Sequence, residues 1–156
     1  MTTREPPSAI RRASPDDAET IAALTNAAYA KYIPRLGRRP QPMTADYRQM
    51  AAEHRVWLLC WDDQPVGVLV LMLEPEAVLI YSIAVSPQHQ KRGLGRHLLA
   101  WAEQQARQEG YPLIRLYTNE RMEENIAWYR RLGYQETKRE LYLGSTLVHM
   151  AKRLST

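Results

Sequence analysis

The sequence predicts one α+β domain built on a mixed central sheet, and three observations carry that prediction. A chain of 156 residues supports a single sizeable core and is too short for two ordinary domains, so residues 1–156 read as one unit. Short apolar runs of strand length crowd residues 56–85 and recur at the C-terminal end, between segments of helical periodicity. A strand, a long helix and another strand follow in direct succession, which implies a right-handed crossover and locally parallel pairing beside an antiparallel hairpin.

The elements follow in chain order. Residues 1–8 carry no packing signal and are expected to be flexible. Ser14, Pro15, Asp16 and Asp17 open the first helix: a capping hydroxyl, a proline suited to the first helical position, and two acids at the positive helix end. Ile21, Leu24 and Ala28 form its apolar stripe. IPRLGRRPQPM, from Ile33 to Met43, reads as a loop. A short helix follows, capped by Thr44, with Tyr47 and Met50 turned inward.

VWLLCW and VGVLVLML flank the turn residues Asp62, Asp63, Gln64 and Pro65 and predict an antiparallel hairpin. The run at 77–85 is apolar almost throughout, as expected of a strand buried on both faces. A helix over 93–109 carries Leu94, Leu98, Trp101, Ala102 and Gln105 on one side and stops at Gly110. A strand at 113–118, a shorter helix at 123–132 ended by Gly133, and strands at 134–141 and 146–153 complete the chain.

Composition excludes several classes. No apolar stretch approaches the ~18–20 residues that span a bilayer, and the N-terminal MTTREPPSAIRRASPDD has no apolar core of a signal peptide. No membrane association and a cytoplasmic location are therefore expected. Cys60 is the single cysteine; its apolar flanks predict a buried thiol rather than a nucleophile. The net charge of +4 (21 Lys and Arg against 17 Asp and Glu) suits small anions better than nucleic acid. Four scattered histidines offer no metal site. His89 and His97 read as exposed, and His149 as structural.

One segment carries chemistry. From Val85 to Arg96 a buried strand runs into a loop and a helix start bearing Gly93 and Gly95. Unpartnered N–H groups and the helix dipole make such a terminus a binder of phosphate groups. The glycines permit close approach, and Lys91, Arg92 and Arg96 add positive charge. Leu98 stands where a dinucleotide-binding fingerprint requires its third glycine, and the Gly-Lys-Ser/Thr of a P-loop is absent. By spacing alone, the segment fits either an anion site or an ordinary glycine-rich helix start.

Gln90-x-x-Gly93-x-Gly95, preceded by Ile83-Ala84-Val85 and Pro87 and followed by Leu98-Leu99, resembles motif A of the GNAT superfamily of N-acetyltransferases. Tyr129-Arg130-Arg131-Leu132-Gly133-Tyr134 is similar to the end of that superfamily's motif B. The resemblance covers nearly the whole chain. It implies a mostly antiparallel sheet with helices on both faces, and a parallel strand pair splayed apart to admit acetyl-CoA, with no metal. Main-chain groups of the Ile83, Ala84 and Val85 strand would meet the pantetheine arm, and amides of Lys91, Arg92, Gly93, Leu94, Gly95 and Arg96, beside Gln90, would hold the pyrophosphate. Tyr129 matches the tyrosine that protonates the departing thiolate in many members. An asparagine common in the family seven residues earlier is replaced by Met122; Asn119 and Asn125 flank it as substitutes, and Asn119 also suits a helix cap.

The activity implied is direct attack of a primary amine, on a small molecule or a protein, upon the bound thioester; the alternative is an acyl-CoA-binding sensor without turnover. Late edge strands in this fold can support a homodimer. Tyr29, Tyr32, Met43 and Tyr47 are expected to wall the acceptor pocket, with Arg35, Arg38 and Arg39 drawing in an anionic group. Glu74, Glu76, Tyr81, Glu120 and His54 are the candidate bases, and spacing distinguishes none of them.

Overall fold

The computed structural model describes residues 8–155. The expected flexibility of 1–8 thus falls almost wholly outside the described residues, and Ser8 opens a strand. That strand, β1 (Ser8–Arg12), has no counterpart among the elements expected from the sequence. It pairs antiparallel with β2 (Arg55–Trp61) along the sheet edge. Its one apolar residue with a packing role is Ile10, too little for a period of two to show in the sequence.

The helical N-terminal region folds around its caps. Ser14 N–H donates to the Asp17 carboxylate at 2.9 Å, and Arg11 pairs with the same carboxylate at 2.9 Å. A single 3-10 turn at Pro15–Asp17 leads into α1 (Ala18–Tyr29), which buries Ile21, Thr25 and Ala28. The segment expected as plain loop contains a further turn of helix, α2 (Ile33–Leu36), terminated by Gly37 at φ +75°. Asp46, not Thr44, caps α3 (Tyr47–Glu53): its carboxylate accepts from the N–H groups of Arg48 and Gln49. Thr44 donates instead to Gln41 O at 3.1 Å, its hydroxyl spent on the preceding turn.

β2 and β3 (Gln64–Leu73) form the expected hairpin. The loop is tighter than expected, because only Asp62 and Asp63 lie outside the strands, both at positive φ. That conformation matches the right-handed twist of a two-residue hairpin, and Asp tolerates it better than most residues. Cys60 is half-buried rather than buried.

β4 (Val78–Val85) pairs antiparallel with β3, but Leu71 faces Ile80 while Val70 faces Ser82, which leaves Tyr81 as an extra residue. The bulge reverses the strand's faces. Val78 and Ile80 belong to the core beneath α4 (Leu94–Gln108), and Tyr81 turns to the opposite core, beneath α1 and α3. Ile83 and Val85 then return to the α4 side.

Beyond β4 the strand order is β5 (Leu113–Asn119), β7 (Ser145–Arg153), β6 (Gln135–Tyr142), giving one seven-stranded sheet ordered β1-β2-β3-β4-β5-β7-β6. Only the β4–β5 pair is parallel, and it holds for two positions, Val78 with Ile114 and Leu79 with Arg115. Past them the strands part. α4 and α5 (Glu123–Arg131) cover one face of the sheet, and α1 and α3 the other. Burial of Leu98 and Ala102 against Leu59, Leu69 and Ile114 fixes α4 across the crossover. Tyr134 is buried in the same core, donating to Glu103 at 2.9 Å, and Lys152 caps the other carboxylate oxygen at 3.0 Å. No helix among the described residues is long and apolar enough to cross a membrane.

Candidate functional site

The parting of β4 and β5 opens a cavity of about 410 Å³. Ser86 N–H donates across to Val66 O on the β3 side, so the alternation of an antiparallel ladder turns the main-chain groups of Val85 and Ile83 toward the fork. Two side chains reach them there: Gln90 Nε2 donates to Val85 O at 3.0 Å, and the Tyr29 hydroxyl donates to Ile83 O at 3.4 Å. Ile83, Ala84, Val85 and Gln90 all line the cavity.

The loop after β4 delivers the start of α4. Lys91 takes positive φ (+66°), and Gly93 precedes the helix at φ +78°, a conformation that favours glycine. His97 N–H bonds to Gly93 O as the first rung of the ladder, so the amides of Leu94, Gly95 and Arg96 have no partner within the helix. Gly95 lines the cavity, where a Cβ would meet only the Trp128 ring at 3.7 Å. Ordinary contact of that kind does not demand glycine. The lack of a side chain there leaves room for an incoming group.

The remaining residues of the motif divide. Leu94 is buried in the core, so only its main chain faces outward. Lys91, Arg92 and Arg96 are exposed around the helix start rather than in the cavity lining, with Arg92 lying over the Trp61 ring at 5.6 Å. Among the described residues none of the three has a carboxylate partner. His97 is exposed, whereas His89 is half-buried beside Trp61.

Across the fork, α5 supplies Tyr129. Its ring packs edge-on against Trp128 and Tyr134, with centroids 4.9 and 5.6 Å away. Its hydroxyl makes no hydrogen bond among the described residues, and the residue lines the cavity. Burial, with Tyr29 and Tyr32 nearby, raises the phenol above its ordinary value and keeps it neutral. Asn119, Met122 and Asn125 also line the cavity. Asn119 Oδ1 accepts from Arg121 N–H at 2.9 Å in a turn that leads to α5, leaving its amide nitrogen unspent.

The opposite wall comes from the α1–α3 region and the β6–β7 turn. Tyr29 and Tyr32 line it as expected; Met43 and Tyr47 do not, and Tyr47 instead donates to Pro42 O. The three arginines separate. Arg35 is neutralised by Glu124. Arg38 donates to Leu143 O at 2.8 Å and Ser145 Oγ at 3.0 Å, tying the α2–α3 loop to the β6–β7 turn. Arg39 lines the cavity without an ion pair among the described residues.

Of the candidate bases only Tyr81 lines this cavity, its phenol pushed up to about 12 chiefly by burial. Glu74 is engaged bidentately by Arg115, Glu120 pairs with Arg139, Glu76 is exposed, and His54 ends α3. His149 is buried, with Nε2 against Glu140 and Nδ1 3.4 Å from Arg115. Sequence reasoning missed Trp128, Tyr117, Tyr142 and Leu143 as lining residues. The last two had one signal, an apolar pair in a turn beside Gly144.

A family model described as the acetyltransferase (GNAT) family matches residues 21–134. The chain is similar to Probable N-acetyltransferase 14 of Xenopus tropicalis, 29% identical over 100 residues, or 62% of this chain and 48% of that protein. It is also similar to the aminoalkylphosphonate N-acetyltransferase of Salmonella typhimurium, 38% identical over 58 residues, or 37% of this chain and 38% of that protein. The matches thus span less than half the length of either curated relative. Among solved structures, the PaiA N-acetyltransferase of Thermoplasma acidophilum in complex with coenzyme A superposes with a TM-score of 0.78 at 15% identity, covering 94% of this chain and 99% of that one.

Proposed function

The chain belongs to the GNAT acetyltransferase family, and from that premise we propose that it transfers an acetyl group from acetyl-CoA to a primary amine by direct attack. The carrying observation is the fork itself: one cavity brings together the free edge of β4, Gly95 at the start of α4, and the Tyr129 hydroxyl. The amides of Leu94, Gly95 and Arg96 suit a diphosphate, with Lys91, Arg92 and Arg96 supplying counter-charge. The Thermoplasma acidophilum N-acetyltransferase in complex with coenzyme A shares this fold.

The thioester supplies an activated acyl group, so no covalent enzyme intermediate is needed. The amine forms a C–N bond, the C–S bond breaks, one proton passes from the amine through water to solvent, and another reaches the sulfur from Tyr129. Val85 N–H, turned to the fork, would donate to the developing oxyanion. Tyr129 gives the thiolate a hydrogen bond and then its proton. Burial weakens the phenol as an acid, but the same dry surroundings disfavour the thiolate too. A shared shift leaves the order of the two groups unchanged, so the hydrogen bond from Tyr129 is what stabilises the departing sulfur, and the phenol regains its proton from water. Asn125, with the free amide nitrogen of Asn119, stands in for the family asparagine that Met122 replaces.

The test mixes the protein with acetyl-CoA and a panel of primary amines and follows free thiol. Release above background for at least one amine is expected, and its loss in Gly95→Trp, where an indole would fill the space against Trp128. Unimpaired turnover by Gly95→Trp would remove the site assignment. Coenzyme binding without thiol release for any amine would replace transfer with the non-catalytic alternative.

A further inference from the structure

We propose that the acceptor is a small primary amine that also carries an oxyanion, a carboxylate or a phosphonate, and that Arg39 receives it. The proposal rests on the acetyl-transfer reading above and deepens it. Among the described residues that line the cavity there is no Asp and no Glu, while Arg38 and Arg39 both line it. A polyamine would enter such a cavity without counter-charge, losing hydration and gaining like-charge repulsion.

These two cations are separate from those around α4. They come from the loop after α2, on the wall opposite α4 and α5; Arg38 is half-buried and reaches the β6–β7 turn, and Arg39 is exposed where it lines the cavity. Arg38 donates to three oxygens there, Leu143 O, Tyr142 O and Ser145 Oγ, and all three are neutral. Its charge therefore stays uncompensated while its bonds are used. Arg39, next in sequence, has neither a hydrogen bond nor an ion pair among the described residues, so its planar fork is free for a bidentate oxyanion.

The Arg38 clasp also limits size. It draws the α2–α3 loop and the β6–β7 turn together over the cavity, with Tyr142 and Leu143 as part of the lining. At about 410 Å³ the space lies near the small end of ordinary ligand pockets, ~300–1,000 Å³, and has to admit the thioester as well. A polypeptide would require the clasp to open.

The test compares kcat/KM within sets that share one amine skeleton with and without the oxyanion: ethylamine, β-alanine and 2-aminoethylphosphonate; phenethylamine and phenylalanine; with spermidine and a C-terminally amidated octapeptide alongside. The anionic members are expected to exceed their neutral counterparts by about tenfold or more, the range of a charge-assisted bidentate contact, and the carboxylate and phosphonate arms tell which oxyanion fits better. In Arg39→Ala the ratio of anionic to neutral members falls to within about twofold of unity, and Arg39→Lys restores part of it. Equal use of neutral and anionic amines, preference for spermidine or the octapeptide, or an equal loss for all acceptors in Arg39→Ala would each overturn the proposal while leaving acetyl transfer intact. Absence of thiol release with every amine would instead bring down the transfer reading, and the acceptor assignment with it.

Discussion

Replacing Tyr129 by Phe separates a chemical role from a packing role. The ring contacts with Trp128 and Tyr134, at 4.9 and 5.6 Å between centroids, survive the change. The lost hydroxyl has no hydrogen-bond partner among the described residues, so its removal leaves no donor or acceptor stranded. Stability should change by less than about 1 kcal/mol, in either direction. A positioned general acid contributes roughly 10²- to 10⁴-fold to rate, so kcat should fall by that factor, equivalent to about 3–5 kcal/mol of barrier. Binding of the coenzyme should be unaffected. Burial raises the phenol, so the wild-type rate should show no alkaline decline from Tyr129 ionisation through pH 10. Single-turnover thiol release with saturating acetyl-CoA measures the chemical step, and a thermal melt measures the fold. A Phe variant with kcat within about threefold of wild type, with chemistry shown to be rate-limiting, would refute the assignment of the acid.

Tyr134→Phe should behave in the opposite way. It deletes a buried donor to Glu103 and should cost about 1–3 kcal/mol, a drop in Tm of a few to about ten degrees, while kcat stays near wild type. Asp17 is held down to about 2, first by the Arg11 hydrogen bond and then by Ser14 N–H. Because its folded value lies below the unfolded one, its stabilisation is complete above pH 4 and fades as pH falls through 2. Arg11 is half exposed, so the contribution should be near the ~1 kcal/mol of an ordinary cap rather than the full shift. Denaturant melts of Asp17→Asn and wild type should differ by that amount at pH 6 and converge near pH 2.

Much of the architecture was legible because it is local. The Asp62–Asp63 turn, the apolar run of β4 and Gly110 after α4 each announce themselves within a few residues. β1 was not legible, since a short edge strand with one packed apolar residue, Ile10, derives its order from its partner β2. The cap of α3 was misplaced because Thr44 and Asp46 both suit the role, and only the backbone turn before Tyr47 decides between them. The extra residue at Tyr81 was invisible for a similar reason. A bulge is defined by register against β3, and a run apolar on both faces does not reveal a change of face.

The candidate site shows the same division. The segment from Val85 to Arg96 by itself predicts a helix start, stripped of side chains at Gly93 and Gly95, whose amides suit an anion; that expectation follows from backbone groups and needs no distant partner. The tertiary structure decided everything that depends on which charges meet. Arg35, Arg38 and Arg39 look alike in sequence, yet Glu124 neutralises the first, the β6–β7 turn occupies the second, and the third is left facing the cavity. Partners so far apart along the chain, 89 residues for Arg35 and Glu124 and 105 for Arg38 and Leu143, meet only through packing of the whole sheet. Spacing along a sequence carries no record of that.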